Sequence, residues 1–173
     1  MPTRILLEGR PGSGKTTAIR RLAALVPTRD TTGFTTEEIR TGGRRVGFAL
    51  ETLAGQRAVL AHVDFPGPPR VGRYGVDLEV MARLALPSLV WSAGTLVLVD
   101  ELGRMELAYP PFEEALRALF AADADVVATV QAQHAAFTDA LKRRADIELL
   151  RLTPANRDAL PERLAARLAP ARR

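Results

Sequence analysis

The chain has 173 residues, 47% hydrophobic and 25% charged, with a formal net charge of +4 and no cysteine. That length suits one domain with a sizeable core, and the lack of cysteine excludes disulfides and thiolate metal sites. The pI is about 10.3, yet the arginines are scattered among carboxylates and Lys15 and Lys142 are the only lysines. This pattern predicts a solvated mixed-charge surface and argues against a nucleic-acid stripe.

"MPTRILLEG" carries no basic leader or small-residue cleavage site, and no apolar run approaches the roughly 20 residues that cross a bilayer. The expectation is a cytoplasmic, monomeric protein with no membrane segment. "RILLEG" (Arg4–Gly9) is a short apolar run stopped by glycine and reads as a buried strand. After the loop "GRPGSGKTT", the stretch "KTTAIRRLAALV" sets Ile19, Leu22, Ala23, Leu25 and Val26 on one helical face.

"FTTEEIRTGGRRVGFALETLAGQRAVLAHV" alternates β-branched or aromatic residues with polar ones. It breaks at Gly42-Gly43 and Ala54-Gly55, which predicts an antiparallel meander of two or three strands. A proline-rich connection, "DFPGPPRVGRYGVD", leads to a helical stretch around "LEVMARLAL". "TLVLVD" is a second buried strand, and "PPFEEALRALFAA", with prolines at its front, a helix. "DVVATV" (strand), "AAFTDALKRR" (helix), "IELLRL" (strand) and "NRDALPERLAARLA" (helix) complete the order. Alternating strands and helices predict an α/β fold, mainly parallel and covered on both faces, with the meander as an insertion near the sheet edge. One domain spans residues 1–173.

The pattern G-x-x-x-x-G-K-[ST] is met by Gly9, Gly14, Lys15 and Thr16, between a strand and a helix as a phosphate loop requires. The stretch Gly9, Arg10, Pro11, Gly12, Ser13, Gly14, Lys15, Thr16 and Thr17 is therefore the nucleotide-binding candidate. Its backbone N–H groups and the helix N-terminus attract phosphate. Lys15 reaches the β- and γ-phosphates, the Thr16 hydroxyl can ligate Mg²⁺, and Thr17 lies near the α-phosphate.

"LVLVDELGRMEL" ends an apolar strand with two carboxylates. Asp100 fits the acid that holds Mg²⁺ through water at the tip of a second strand, and Glu101 can accept a hydrogen bond from an attacking water. The competing reading is a helix cap and first-turn acid, since Leu102, Met105 and Leu107 could begin a helix. The phosphate loop favours the catalytic reading, and with it hydrolysis.

Beyond these motifs, "GFTTEEIR", "GRRVGFALETL", "VGRYGVDLEVMARLALPSL", "VDELGRMEL" and "LTPANRDAL" resemble, in order, the signatures of a known family. It is the small phosphate-loop nucleoside-triphosphatase family of thermophilic bacteria and archaea, also called the cancer-related nucleoside-triphosphatase family. The resemblance covers nearly the whole chain and implies a RecA/AAA-like fold with "DVVATV" between the two motif strands. It also implies slow, Mg²⁺-dependent hydrolysis of ATP, GTP and other nucleoside triphosphates to the diphosphate. By resemblance Glu101 is the water-activating acid. A second nucleotide-binding stretch comprises Leu96, Val97, Leu98, Val99, Asp100, Glu101, Leu102 and Gly103, the strand residues before Asp100 belonging to the core. One departure is "QAQH" where family members continue with proline after "ATV". Gln131 is thus either a γ-phosphate sensor at the strand tip or a loop residue.

Arg73 and Arg104 are candidates to neutralise charge on the leaving phosphates, against a surface or core-capping role. Asn156 and Arg157 match a family motif, which a cap on the C-terminal helix explains equally well. His62 and His134 lack metal-ligand spacing, and Trp91 and Phe112 read as core. No Asn-Lys-x-Asp element is present, so base selectivity should be weak. Two other functions remain open: a nucleotide or small-molecule kinase, and a nucleotide-dependent nucleic-acid-binding or regulatory switch.

Overall fold

The computed structural model describes residues 1–169. Nine strands form one sheet: β1 (Arg4–Gly9), β2 (Thr31–Thr41), β3 (Arg44–Thr52), β4 (Arg57–His62), β5 (Arg70–Val71), β6 (Tyr74–Val76), β7 (Leu96–Val99), β8 (Asp125–Gln131) and β9 (Glu148–Arg151). Their order is β5-β6-β4-β3-β2-β7-β8-β1-β9. Strands β2, β7, β8, β1 and β9 pair in parallel, whereas β2 to β6 form an antiparallel wing. The placement of β8 between β7 and β1 is the arrangement the family resemblance implied.

The helices are α1 (Lys15–Leu25), α2 (residues 78–88, with a π-type turn at Met81–Ala85), α3 (Pro110–Ala121), α4 (Ala136–Lys142) and α5 (Leu160–Leu168). Successive strand residues point to opposite faces, so the parallel strands feed two cores. Ile5, Leu7, Leu96 and Leu98 meet Ile19 and Leu22 of α1 and Leu160 and Leu164 of α5. Leu6, Val97, Val99 and Val126 meet Phe112, Leu116 and Phe120 of α3. Burying each such side chain stabilises the fold by about 1.5–3 kcal/mol.

The wing lies at one edge of the sheet, as the sequence predicts, and is continuous with the parallel half. β2 is shared: residues 31–34 pair with β7, and residues 34–41 pair with β3. Gly33 sits at this seam with φ +109°, and a Cβ there would overlap the Leu98 carbonyl oxygen. The proline-rich connection contributes β5 and β6, so the antiparallel share is larger than the sequence pattern predicts. Two predicted core residues prove exposed. Trp91 is 46% accessible, in the turn before β7, and Leu25, at the end of α1, is 43% accessible, whereas Phe112 is fully buried.

Candidate functional site

The glycine loop turns sharply between β1 and α1. Gly14 precedes α1 in the left-handed region, φ 96°, and no side chain among the described residues caps the helix. The amides of the first turn are thus left to an external acceptor, and a helix N-terminus favours an anionic one. Lys15 Nζ folds back onto its own loop, donating to the carbonyls of Gly9 at 2.8 Å and Arg10 at 3.2 Å. Ser13 Oγ is buried without a partner among the described residues.

The tip of β7 lies across from the start of α1. Asp100, 2% exposed, accepts from the Thr16 hydroxyl at 2.6 Å and, through its other oxygen, from Thr129 Oγ1 on β8 at 2.7 Å. The Thr36 amide on β2 approaches it at 3.3 Å. Burial pushes the Asp100 carboxyl up, opposed by these donors and by Lys15. The Asp100–Glu101 peptide bond is cis. Glu101 Oε1 accepts from Gln131 Nε2 at 2.8 Å, and its Oε2 lies 3.8 Å from Lys15 Nζ. Burial also raises the Glu101 carboxyl, with Gln131 and Lys15 pulling it back.

A third carboxyl belongs to the site. Glu106, 4% exposed, opens a single 3-10 turn, Glu106–Ala108, where the sequence allowed a longer helix. An ideal Cβ on Gly103 would lie 2.8 Å from Glu106 Oε2 and 2.9 Å from Glu101 Oε1, so a larger residue there would have to displace the ends of these two side chains. Burial, then the neighbouring Glu101, holds the Glu106 carboxyl well above the usual range. The two carboxyls share one open cleft of about 730 Å³ with the phosphate loop and Asp100.

The NTPase family model matches residues 4–165. The chain belongs to this NTPase family. It is 39% identical over 159 residues to the nucleoside-triphosphatase THEP1 of Thermotoga maritima, covering 91% of this chain and 90% of that one. It is 34% identical over 177 residues to the human cancer-related nucleoside-triphosphatase, covering 92% and 93%. The crystal structure of THEP1 from Aquifex aeolicus superposes with a TM-score of 0.87 at 30% identity, covering 96% of this chain and 99% of that one. The solution structure of the human protein gives 0.82 at 32% identity, covering 99% and 100%.

In this NTPase, residues 11–17, Asp100, Glu101, Arg104 and Gln131 all border the cleft. Leu96, Val97, Leu98 and Val99 are fully buried in the sheet, and Leu102 nearly so. Arg10 and Thr17 are exposed. Arg73 is turned to the Arg45 carbonyl and the Tyr74 hydroxyl. Asn156 does not cap the last helix, whose flanking residue is Ala159. Its amide instead ties the Thr153 N–H and the Arg151 carbonyl after β9. Arg157 Cδ comes within 3.6 Å of where a Gly14 Cβ would sit. Glu106 went unseen in the sequence; the signal was a lone acid between apolar Met105 and Leu107.

Proposed function

We propose that the chain hydrolyses nucleoside triphosphates to the diphosphate and phosphate with low base selectivity, using Mg²⁺ and water, in the cytoplasm. The observation that carries this reading is the Glu101 carboxyl beside Lys15, held by Gln131, at a phosphate loop whose Thr16 already meets Asp100. A second carboxylate next to the metal-side acid gives water a proton acceptor. General-base assistance of this kind is worth about 10²–10⁴ in rate.

The donor set fits Mg²⁺. Thr16 Oγ1 and Asp100 Oδ2 are hard oxygen donors 2.6 Å apart, and Mg²⁺ prefers one or two protein oxygens with phosphate oxygens and waters. Bound there, the ion would neutralise charge on the β- and γ-phosphates. The chain's own groups do the rest. Loop amides and the α1 N-terminus grip the phosphates, and Lys15 exchanges its two loop carbonyls for phosphate oxygens. Gln131 occupies Glu101 Oε1, which leaves Oε2 to take the proton from water as its oxygen attacks the γ-phosphorus and the bond to the β-phosphate oxygen breaks. Burial of Glu101 makes it a stronger base than an exposed glutamate.

Phosphate and diphosphate formation from ATP, GTP, CTP and UTP, with Mg²⁺ or with excess EDTA, tests the reading. Release from all four at rates within about tenfold, abolished by EDTA, is expected. Tight nucleotide binding with no phosphate release, or turnover of one base alone, would contradict it.

A further inference from the structure

The cleft extends well past the residues that the hydrolytic reading uses. Beyond Thr36 it is bordered by Glu38, Arg40, Arg45, Phe48 and Tyr74 of the antiparallel wing. The direction is informative. Thr16 faces the wing, its hydroxyl 3.3 Å from the Thr36 carbonyl, and Arg20, one turn later, pairs with Glu37. The opposite side of the loop faces the segment between β9 and α5, through Arg157 against Gly14, and α1 follows it there, with Arg21 against Asp158 and against Glu162 of α5. A terminal phosphate held by Lys15, Thr16 and the carboxylate side therefore points into the wing half, leaving the nucleoside toward β9. This direction rests on the hydrolytic reading.

The wing half carries excess positive charge. Arg40 donates to Glu38 at 2.8 and 3.0 Å, and Arg45 donates to the same carboxylate at 3.1 Å. Arg45 Nε also donates to the Tyr74 hydroxyl at 3.0 Å, and Arg73 reaches that hydroxyl at 3.2 and 3.3 Å. Three guanidinium groups thus gather around one carboxylate and one phenol. The neighbouring set of Arg20 and Arg57 against Glu37 and Glu51 is balanced.

Two titratable groups register this field. Burial pushes the Tyr74 hydroxyl up, yet the donors Arg45 and Arg73 outweigh it and hold it below the usual phenol range. Burial likewise raises Glu38, and Arg45 and Arg40 outweigh it. The Arg45 guanidinium is fixed over Phe48 at 5.2 Å and over Tyr74 at 5.8 Å. A fork held on aromatic faces is pre-organised for a phosphate or carboxylate.

We propose that the wing half of the cleft is a second ligand subsite, which takes a small phosphate monoester beyond the terminal phosphate of a bound nucleotide. A monoester carries nearly two negative charges near neutrality; Arg40 and Arg45 border the cleft to meet it, and Arg73 adds its charge through the Tyr74 hydroxyl. Phe48 and Val71, bordering the same cleft, offer apolar cover to the body of such a molecule. Tyr74, at the floor of the subsite, is only 6% exposed.

The test is calorimetric titration of phenyl phosphate and glucose 6-phosphate into the protein saturated with Mg·ADP, for wild type, Arg40→Gln and Arg45→Gln. At least one probe should bind wild type with a Kd below about 1 mM and weaken roughly tenfold in each variant, since each loses a charge-assisted contact. Arg40 is exposed, so its variant answers the question even if Arg45→Gln disturbs the wing. Neither probe binding by 10 mM (about a tenfold margin on that Kd), or undiminished binding in Arg40→Gln, would overturn the proposal. So would displacement of the probes by a single-stranded oligonucleotide that binds far more tightly. Failure of Mg·ADP to bind wild type would count against the phosphate-loop reading instead, and the probes titrated without nucleotide would still decide the subsite.

Discussion

The parallel half of the sheet and the antiparallel wing share β2 but solve opposite problems. In the parallel half, Leu96, Val97, Leu98 and Val99 are wholly buried under helices on both faces, and the polar groups of the cleft gather beyond the strand tips. There Asp100, Glu101 and Glu106 sit with burial pushing all three carboxyls up. In the wing, charged residues of the same and neighbouring strands pair with one another, as Glu38 does with Arg40 and Arg45. The parallel half holds carboxyls short of counter-charge beside a phosphate grip, and the wing holds arginines in surplus. One end of the cleft thus has buried carboxyls with raised pKa values, and the other has paired charges that form a polar wall.

The largest expected effect breaks the seam itself. Gly33→Ala forces a Cβ into the Leu98 carbonyl at a positive φ, so we expect destabilisation of about 4 kcal/mol or more. Chemical denaturation reads it; a loss under about 1 kcal/mol would mean that β2 does not bind the halves so closely. Next, Asp100→Asn removes the charge between Thr16 and Thr129. Turnover should drop by about 10²-fold, with a higher Mg²⁺ requirement in a metal titration of activity. Gln131→Ala frees Glu101 Oε1 and should lower kcat by about tenfold with KM nearly unchanged, the signature of a lost positioning contact.

The smallest effect concerns pH. A carboxyl whose folded pKa is raised binds its proton more tightly when folded, so stability falls as pH rises above the unfolded value near 4.5 toward the folded one. Glu106→Gln removes that loss. Its Tm, measured without nucleotide, should match wild type near pH 4 and exceed it by about 2–4 °C at pH 8, roughly 1 kcal/mol for a chain of this size. A difference that narrows as pH rises would contradict the account.

The parallel half was largely legible in the sequence because its signals are local. Gly9 to Thr16 form a contiguous motif, and "TLVLVDE" joins a buried strand to its acids. The wing was legible as a meander, but the pairing of residues 31–34 with β7 was not, since period-2 patterning does not reveal a neighbour's identity. Strands β5 and β6 were hidden by prolines that normally argue against strands. The Gln131–Glu101 bond needs β8 packed beside β7, a long-range fact. Trp91 read as core because a lone tryptophan is usually buried, but the turn before β7 carries it outward.

The most direct test of the central claim, that Glu101 handles the attacking water, is single-turnover phosphate release from Mg·ATP by wild type and Glu101→Gln, with ATP affinity measured for both. The account predicts affinity within about threefold and a rate loss of roughly 10²-fold or more. A variant that binds ATP and releases phosphate at the wild-type rate would contradict it, and the proton acceptor would have to be sought elsewhere in the cleft.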